Sequence, residues 1–270
     1  MDGTEWKIGS FELHVLVLAA QVKGVAIPVY FKVYEHKGVL SEHNRIIFIR
    51  KAFSIIDLHG KLLIADREFI GKNWLSSLTD LGLHFVIRLR KGMYRSQIQN
   101  MGVSYDELER RALKKGYAKV IFQLDERFYK LELWRSNNNN EPIVYLITNV
   151  LDKQRIGKRY AKRWKIEYCF KHLKTNGFNL EDMSMTDLKK IRLMISLVVV
   201  AYILAIREGI MQQKVQKVRT IKYRNGDKYP AVSIFKNGLH AIANLIVSWI
   251  DLDKYIALIK KKKYSILKIV

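Results

Sequence analysis

The stretch LLIAD at residues 62–66 decides the predicted fold class. Its four leading residues form a short and wholly apolar run, which is typical of a strand covered on both faces. A helix is predicted on either side of it, one capped by Ser41 and one over residues 72–81, and a second strand follows over 85–89. This alternation predicts an α/β fold in which Asp66 lies just beyond the carboxyl end of a strand, where open sheets bind ligands. A strand-ending Asp is also a common turn or cap residue, so Asp66 alone is a weak signal.

Two β-rich segments lie at the edges of this α/β pattern. Before it, residues 11–20 and 25–33 are β-branched-rich runs separated by a Lys-Gly turn, which predicts a hairpin, and Pro28 favours an edge position for its second strand. After it, residues 118–124, 128–134 and 143–148 read as a meander, preceded by a short helix that Ser104 begins and Gly116 ends.

Helical patterns return over residues 152–174 and 187–213. The sequence therefore divides into four predicted parts. These are residues 1–90, the first part of an α/β core; 91–149, a β-rich insertion; 150–213, helices that complete the core; and 214–270, a basic helical C-terminal region.

The composition bounds the class of partner. Lys and Arg number 48 against 25 Asp and Glu, which gives a formal net charge of +23 and favours a polyanion, with nucleic acid as the first candidate. No signal peptide or lipidation motif stands at Met1, and the longest apolar run, residues 193–206, is shorter than the roughly 18 residues that span a bilayer, so we interpret it as a buried helix. Cys169 is the single cysteine, which excludes an intramolecular disulfide and favours a reducing, cytoplasmic compartment.

One carboxylate lies in a strongly basic helix. Residues 153–174 contain nine Lys or Arg and a single acid, Glu167. At about 100° per residue, Tyr160, Arg163, Glu167 and Lys174 fall within an arc of about 60° on one face of a continuous helix. That face presents a hydroxyl, two cations and a carboxylate. The simpler interpretation is that Glu167 forms ordinary i,i+4 ion pairs on a solvated surface.

The spacing Tyr160-x2-Arg163-x3-Glu167-x6-Lys174 resembles the Tyr-Arg-Glu-Lys signature of a large group of bacterial insertion-sequence DDE transposases, which carry a β-rich insertion before the catalytic Glu. The segment IADREF at residues 64–69 resembles the second Asp motif of that family, and DGTEW at residues 2–6 resembles the first. The resemblance covers Asp2 to about Ile206.

The resemblance implies an RNase H-like core, a mixed sheet flanked by helices, interrupted by a β-rich insertion and followed by C-terminal helices. Its first strand, fourth strand and late helix would bring Asp2, Asp66 and Glu167 to one point as ligands of two Mg²⁺ ions, with Mn²⁺ as a substitute. Oxygen ligands suit such hard cations, and a metal pair can clamp the attacking and leaving oxygens of a phosphodiester. The implied reaction is DNA strand cleavage followed by strand transfer.

The same resemblance assigns contacts with DNA. Tyr160, Arg163 and Lys174 would hold phosphates near the transposon end. Trp134 would stack on a flipped base, although a strand Trp is more often simply packed. Transposon ends and target DNA are the implied partners, bound by a homodimer in the synaptic complex. The basic tracts Lys214–Lys228 and Lys260–Lys263 are candidates for nonspecific phosphate contacts or for solvated charge.

The sequence departs from the family at its start. Family members carry a DNA-binding region and several apolar strand residues ahead of the first Asp, whereas only Met1 precedes Asp2. We therefore expect a truncated transposase, with unpaired backbone groups and a packing gap where the first strand should lie, and the sequence leaves open whether it is active in this form. The alternatives are a noncatalytic DNA-binding protein that inhibits or dimerises with a full-length transposase, and a structure-selective nuclease that cuts but does not join strands.

Overall fold

The computed structural model describes residues 1–152, 155–175, 177–215, 219–222, 226 and 228–247. They form two compact units. The first comprises Met1–Glu5, His14–Leu18 and Tyr30–Lys165, and the second comprises Trp6–Leu13, Ala19–Val29 and Ile166–Val270.

The chain begins with three strands, β1 (Asp2–Ile8), β2 (Phe11–Val22) and β3 (Val25–Tyr34), which form a sheet in that order. Lys23 and Gly24, with φ of 48° and 83°, form the tight turn between β2 and β3, as a hairpin with a two-residue loop requires. The predicted hairpin is confirmed, and so is the edge position of the strand that contains Pro28.

Strand β1 corrects one expectation. The sequence analysis assigned no strand to residues 2–8 and expected a gap where the first strand should lie. In the structure these residues hydrogen-bond with β2, and Trp6 and Ile8 are 2% and 0% exposed. The backbone nitrogen of Met1 donates to the carbonyl oxygen of Ile64 at 2.7 Å, so the start of β1 also lies beside the fourth strand. The residues that follow Asp2 therefore form a strand of their own with buried apolar side chains, and the gap expected ahead of Asp2 stays a prediction.

The first unit is built on a second sheet of five strands. Helix α1 (Glu42–Phe53) precedes β4 (Leu62–Ala65), and α2 (Lys72–Asp80) connects β4 to β5 (His84–Leu89), which lies parallel to it. Two helices follow, α3 (Arg95–Asn100) and α4 (Tyr105–Lys115). The remaining strands of the sheet are β6 (Tyr117–Leu124), β7 (Arg127–Arg135) and β8 (Ile143–Thr148).

The predicted caps explain where these helices begin and end. The Ser41 hydroxyl accepts the N–H of Asn44, and the Ser104 hydroxyl accepts the N–H of Glu107. Gly116 adopts the left-handed conformation that ends α4. Helix α1 ends at Phe53, and α3 was not predicted.

The strand order of the second sheet is β4-β5-β8-β7-β6, and every pair except β4 with β5 is antiparallel. The three strands of the predicted meander therefore continue the sheet that contains β4 and β5. This mixed sheet flanked by helices, with the start of β1 in contact with β4, is the α/β arrangement of an RNase H-like core, as predicted.

The segment with the Tyr-Arg-Glu-Lys spacing is not one continuous α-helix. A single turn, α5 (Gly157–Tyr160), is followed by a 3₁₀ turn over Ala161–Arg163 and then by α6 (Trp164–Lys174). A 3₁₀ turn has about 3.0 residues per turn instead of 3.6, so the single helical wheel on which the predicted arc was drawn does not apply. Sequence periodicity could not reveal this break, because the residues on both sides of it favour helix.

The described part of the second unit is mainly helical. Its long helix α7 (Leu188–Val215) packs against α8 (Ile234–Val247), and β9 (Thr220–Lys222) pairs with β10 (Lys228–Pro230). A Cβ on Gly209 of α7 would lie 1.9 Å from the carbonyl oxygen of Ile234, so the two backbones approach as closely as glycine allows.

Helix α7 contains the apolar run that the sequence analysis interpreted as a buried helix. By length and composition α7 is able to cross a membrane, a test that the core helix of a soluble protein also passes. One face, with Ile191, Ile195 and Tyr202, is buried, whereas Leu193 and Leu197 are 61% and 55% exposed. The interpretation therefore holds for one face of the helix.

Candidate active site

Asp66 directly follows β4 and has both of the roles that the sequence left open. Its Oδ1 accepts the N–H of Arg67 at 2.8 Å, and its carbonyl accepts the N–H of Phe69 at 3.0 Å, so Asp66 shapes the turn after the strand. Its Oδ2 lies 3.7 Å from Nη2 of Arg163. The turn thus fixes the carboxylate while one oxygen stays available to the site.

Asp2 begins β1 and is 8% exposed. Its Oδ1 accepts the N–H of Gly3 at 3.1 Å, and its Oδ2 accepts a hydrogen bond from Nη1 of Arg163 at 3.1 Å. Because a carboxylate is costly to bury without a partner, these contacts explain how Asp2 is held in the interior of the first unit.

Arg163 is the centre of this cluster. Its guanidinium bridges Asp2 and Asp66, and Tyr160 donates its hydroxyl hydrogen bond to Oδ1 of Asp66 at 3.2 Å. Arg163 and Tyr160 are 8% and 9% exposed. The short α5 and the 3₁₀ turn thus direct two residues of the predicted signature at the two Asp carboxylates, all within the first unit.

Negative charge is concentrated at this point. Burial raises the pKa of Asp2, the Met1 amino group and Arg163 oppose this shift, and Asp66 acts in the same direction as burial. Burial, followed by the charges of Asp2 and Asp66, raises the pKa of Glu68 to about 7. Burial and the Asp66 carboxylate also raise the pKa of Tyr160. Asp2, Asp66 and Glu68 therefore lie close enough to interact electrostatically, and the Arg163 guanidinium offsets the charge of the two Asp carboxylates.

Glu68 and Arg45 were not singled out by the sequence analysis. The Glu68 carboxylate lies near the backbone of Gly3, and the buried Arg45 donates from Nη1 to the carbonyl of Glu68 at 2.5 Å and from Nη2 to that of Ile70 at 3.4 Å. Arg45 thereby fixes the loop after Asp66. The available signal was the acid two residues beyond the strand-ending Asp, although nothing in the sequence indicated that it is half-buried.

Glu167 and Lys174 belong to the second unit. Glu167 lies in the first turn of α6 and Lys174 at its end, both partly exposed, and Nζ of Lys174 lies 3.4 Å from Oε1 of Glu181. Among the residues that the structure describes, no group of three or more His, Cys, Asp or Glu side chains is arranged to hold a metal ion. The structure thus brings together Asp2, Asp66, Tyr160 and Arg163.

Trp134 lies on β7 and contacts Tyr117 and Glu132. Its ring centroid is 4.8 Å from that of Tyr117, and its Nε1 donates to Oε2 of Glu132 at 2.9 Å. These are the contacts of a packed strand residue, and base stacking by Trp134 stays a prediction. Of the two basic tracts, Lys260–Lys263 and the Lys217, Arg224 and Asp227 positions of Lys214–Lys228 lie outside the described residues.

A mixed five-stranded sheet with flanking helices and an arginine that bridges two carboxylates, one at the start of β1 and one after β4, define the class, an RNase H-like protein with a carboxylate site. A family model described as the transposase DDE domain matches residues 9–204. The chain belongs to this family of enzymes that cut and transfer DNA strands.

The chain was also compared with curated proteins and with solved structures. No curated protein matches the chain. Among solved structures, the chain is similar to that of the piggyBac transposase synaptic complex with hairpin DNA, with 12% sequence identity and a TM-score of 0.45. That match covers 87% of this chain and 47% of the piggyBac chain, so this chain spans about half of that protein's length.

Proposed function

We propose that this chain is the catalytic part of a bacterial insertion-sequence transposase, which cleaves DNA strands at the ends of the element and joins them to target DNA. The observation that carries the proposal is the bridge from Arg163 to both Asp2 and Asp66, with Tyr160 bonded to Asp66. Residues from three distant parts of the sequence meet there. Membership of the DDE family and the net charge of +23 support the same function.

The Asp pair fits a divalent cation. Both carboxylates face the guanidinium of Arg163, so their oxygens already surround one positive charge, and carboxylate oxygens are the ligands that Mg²⁺ prefers. We propose that Asp2, Asp66 and Glu167 hold two Mg²⁺ ions, with Mn²⁺ as a substitute; the role of Glu167 rests on the resemblance. Bound metal would supply an activated oxygen nucleophile and stabilise the leaving 3′-oxygen.

The side chains of this site have distinct tasks in that reaction. Tyr160 orients the Asp66 carboxylate through its hydroxyl. Arg163, whose fork fits both carboxylate and phosphate oxygens, neutralises the Asp pair and would hold a DNA phosphate beside it. Lys174 adds a point charge for a neighbouring phosphate. A protein nucleophile is not needed, because the attacking groups are water and then a DNA 3′-hydroxyl, each of which would lose its proton on attack.

Other parts of the proposal follow the resemblance. Residues 91–149 would act as the β-rich insertion that handles the DNA end, within the four-part division predicted from the sequence. Trp134 would be the candidate for stacking on a flipped base. The enzyme would act on DNA in the bacterial cytoplasm as a homodimer in the synaptic complex.

Cleavage of supercoiled plasmid with Mg²⁺ tests the function. We expect the unmodified chain to produce nicked and linear DNA, and Asp66→Asn and Glu167→Gln each to reduce the rate by about 10³-fold, as loss of a group that stabilises the transition state does. Glu126→Gln is the matched control, because this carboxylate is exposed in the turn between β6 and β7. The control should cleave like the unmodified chain.

The competing functions give different results. DNA binding with no Mg²⁺-dependent cleavage by any variant would overturn the proposal in favour of a noncatalytic DNA-binding protein. Cleavage that Asp66→Asn and Glu167→Gln leave unchanged would show that the assigned site is wrong. Cleavage without joined products, when a precut DNA end is supplied, would indicate a nuclease that does not transfer strands.

A further inference from the structure

Strand β7 has two faces of opposite character. Tyr129, Leu131 and Leu133 are buried on one face, as in an ordinary sheet core. The alternating residues Lys130, Glu132 and Trp134 share the other face, and we refer to these three as the β7 ladder. Lys130 and Glu132 are both 0% exposed. A buried ion pair contributes little net stability, so its presence calls for an explanation in terms of what the two side chains hold.

The β7 ladder holds the main chain that leads into α5. Nζ of Lys130 donates to the carbonyl oxygen of Asp152 at 3.0 Å, and Oε2 of Glu132 accepts the N–H of Ile156 at 3.1 Å. Ile156 is the N-cap residue, directly before the first residue of α5. Within the ladder, Nζ of Lys130 lies 3.2 Å from Oε1 of Glu132. Charged side chains of one strand therefore satisfy backbone groups immediately before α5.

Trp134 completes this contact at the first residue of α5. A Cβ on Gly157 would lie 2.4 Å from Cε2 of the Trp134 indole, so the ring packs directly on the Gly157 backbone. The indole N–H is bonded to Glu132, which fixes the orientation of the ring. On the neighbouring strand, Tyr117 packs against Trp134 and carries the Arg155 guanidinium 4.6 Å from its own ring centroid.

These contacts bear directly on the site. Gly157 begins the single turn that ends at Tyr160, and the 3₁₀ turn that follows ends at Arg163. An isolated helix of one turn is unstable in water, so α5 takes its position from whatever it packs against. The cluster that includes Trp134, Val86, Leu146, Ile156 and Tyr160 provides that packing.

We infer that the β7 ladder is a positioning device for the candidate site: Lys130, Glu132 and Trp134 clamp the start of α5 and thereby set where Tyr160 and Arg163 meet Asp66 and Asp2. The ladder residues are positioning residues, since they act through Tyr160 and Arg163. The effect of the ladder on DNA cleavage rests on the proposed function, whereas its effect on the position of α5 does not.

The substitution Gly157→Ala tests the clamp, because amide exchange in α5 should become faster if the clamp exists and slower if it does not. Gly157 does not have a positive φ, and Ala is the better helix former, so without the clamp Ala would stabilise α5 and slow its amide exchange. With the clamp, the added methyl collides with Trp134. We expect exchange in peptides covering residues 156–165 to become at least about tenfold faster, while peptides covering β4 and β5 exchange as before.

Two further variants separate the clamp from general damage to the fold. Trp134→Leu combined with Gly157→Ala removes the collision, so slow exchange of residues 156–165 should return in part. Lys158→Ala changes the next, exposed position of α5 and is the control, which should leave exchange unchanged. Unchanged or slower exchange in Gly157→Ala, or faster exchange spread evenly over the whole first unit, would overturn the inference.

Plasmid cleavage by the same variants tests the link to the reaction. If the clamp acts through Tyr160, Gly157→Ala lowers the cleavage rate in the unmodified background but has little further effect in Tyr160→Phe. Multiplicative losses would contradict positioning through Tyr160. The two proposals can fail separately. If local exchange responds as expected but the chain never cleaves DNA, the clamp is supported and the proposed function is contradicted.

Discussion

The two halves of the Tyr-Arg-Glu-Lys spacing have different environments. Tyr160 and Arg163 are buried in the first unit and are bonded to Asp66 and Asp2, and α5 packs against strand β7. Glu167 and Lys174 lie on a regular helix, α6, and are partly exposed. Two of the four residues in this spacing therefore bind other side chains of the buried cluster, and the following substitutions test that difference.

Arg163→Met should have the largest effect. It removes the guanidinium that bridges two carboxylates, one of them buried, and loss of one partner of a buried pair costs about 3 kcal/mol or more in unfolding free energy. Urea denaturation in EDTA measures the loss, and Lys162→Met, an exposed neighbour, is the control. Mg²⁺ should raise the melting temperature of Arg163→Met more than that of the unmodified chain, because the ion replaces the missing charge. Equal losses in both variants would contradict the bridge.

The carboxyl groups of Glu68 and Asp2, which lie beside Asp66, also predict that the unfolding free energy depends on pH. The pKa of Glu68 is raised from 4.5 to about 7, so the folded chain binds more protons than the unfolded chain between these values. The unfolding free energy should therefore fall as the pH rises from about 4.5 to about 7, and the raised pKa of Asp2 acts in the same direction. Denaturation curves across this range measure the slope. Glu68→Gln should reduce this slope and Glu126→Gln should not. An unchanged slope in Glu68→Gln would show that a group other than Glu68 causes the pH dependence.

Tyr160→Phe should have a smaller effect than Arg163→Met. The hydroxyl donates one hydrogen bond to Asp66, which keeps its contacts with Arg67 and Arg163, so the expected cost is about 1 kcal/mol. Tyr168→Phe is the control, since Tyr168 is 60% exposed and should cost close to nothing. The same denaturation experiment compares the two. A cost for Tyr168 as large as that for Tyr160 would remove the contrast between the two halves.

Lys174→Met should change stability least. Its ion pair with Glu181 is partly exposed on both sides, and such pairs contribute about 0–1 kcal/mol. Its proposed role in phosphate binding appears in the salt dependence of DNA affinity, where the slope of log Kd against log salt concentration should fall by about 0.9. A stability loss comparable to that of Arg163→Met, with no change in the salt slope, would give Lys174 a structural role instead.

Much of the fold was predictable from local patterns. The apolar run before Asp66, the Lys-Gly turn after Val22 and the caps at Ser41 and Ser104 are set by neighbouring residues, and the structure confirms each of them. Strand β1 was missed because its Gly, Thr and Glu residues mask the alternation of buried side chains. Its burial depends on partners that lie far away in the sequence.

The site was predictable only in part. The spacing identified Tyr160 and Arg163, but not that a 3₁₀ turn separates them from Glu167, since periodicity does not distinguish 3₁₀ from α geometry over three residues. Lys130 and Glu132 gave no signal, because alternating charges on a strand indicate a solvated face unless the backbone groups they bind are known. Glu68 was overlooked for the same reason, as its burial is a property of the assembled unit.

The contact between Trp134 and Gly157 has a consequence for how such sequences diverge. There is no room for a side chain at position 157 while a full indole occupies position 134. The two positions are therefore expected to change together in descendants of this protein, with a side chain gained at one only after bulk is lost at the other. A lineage that acquires Ala at position 157 first would pass through a less fit intermediate, so the large aromatic should be replaced earlier in the order of mutations.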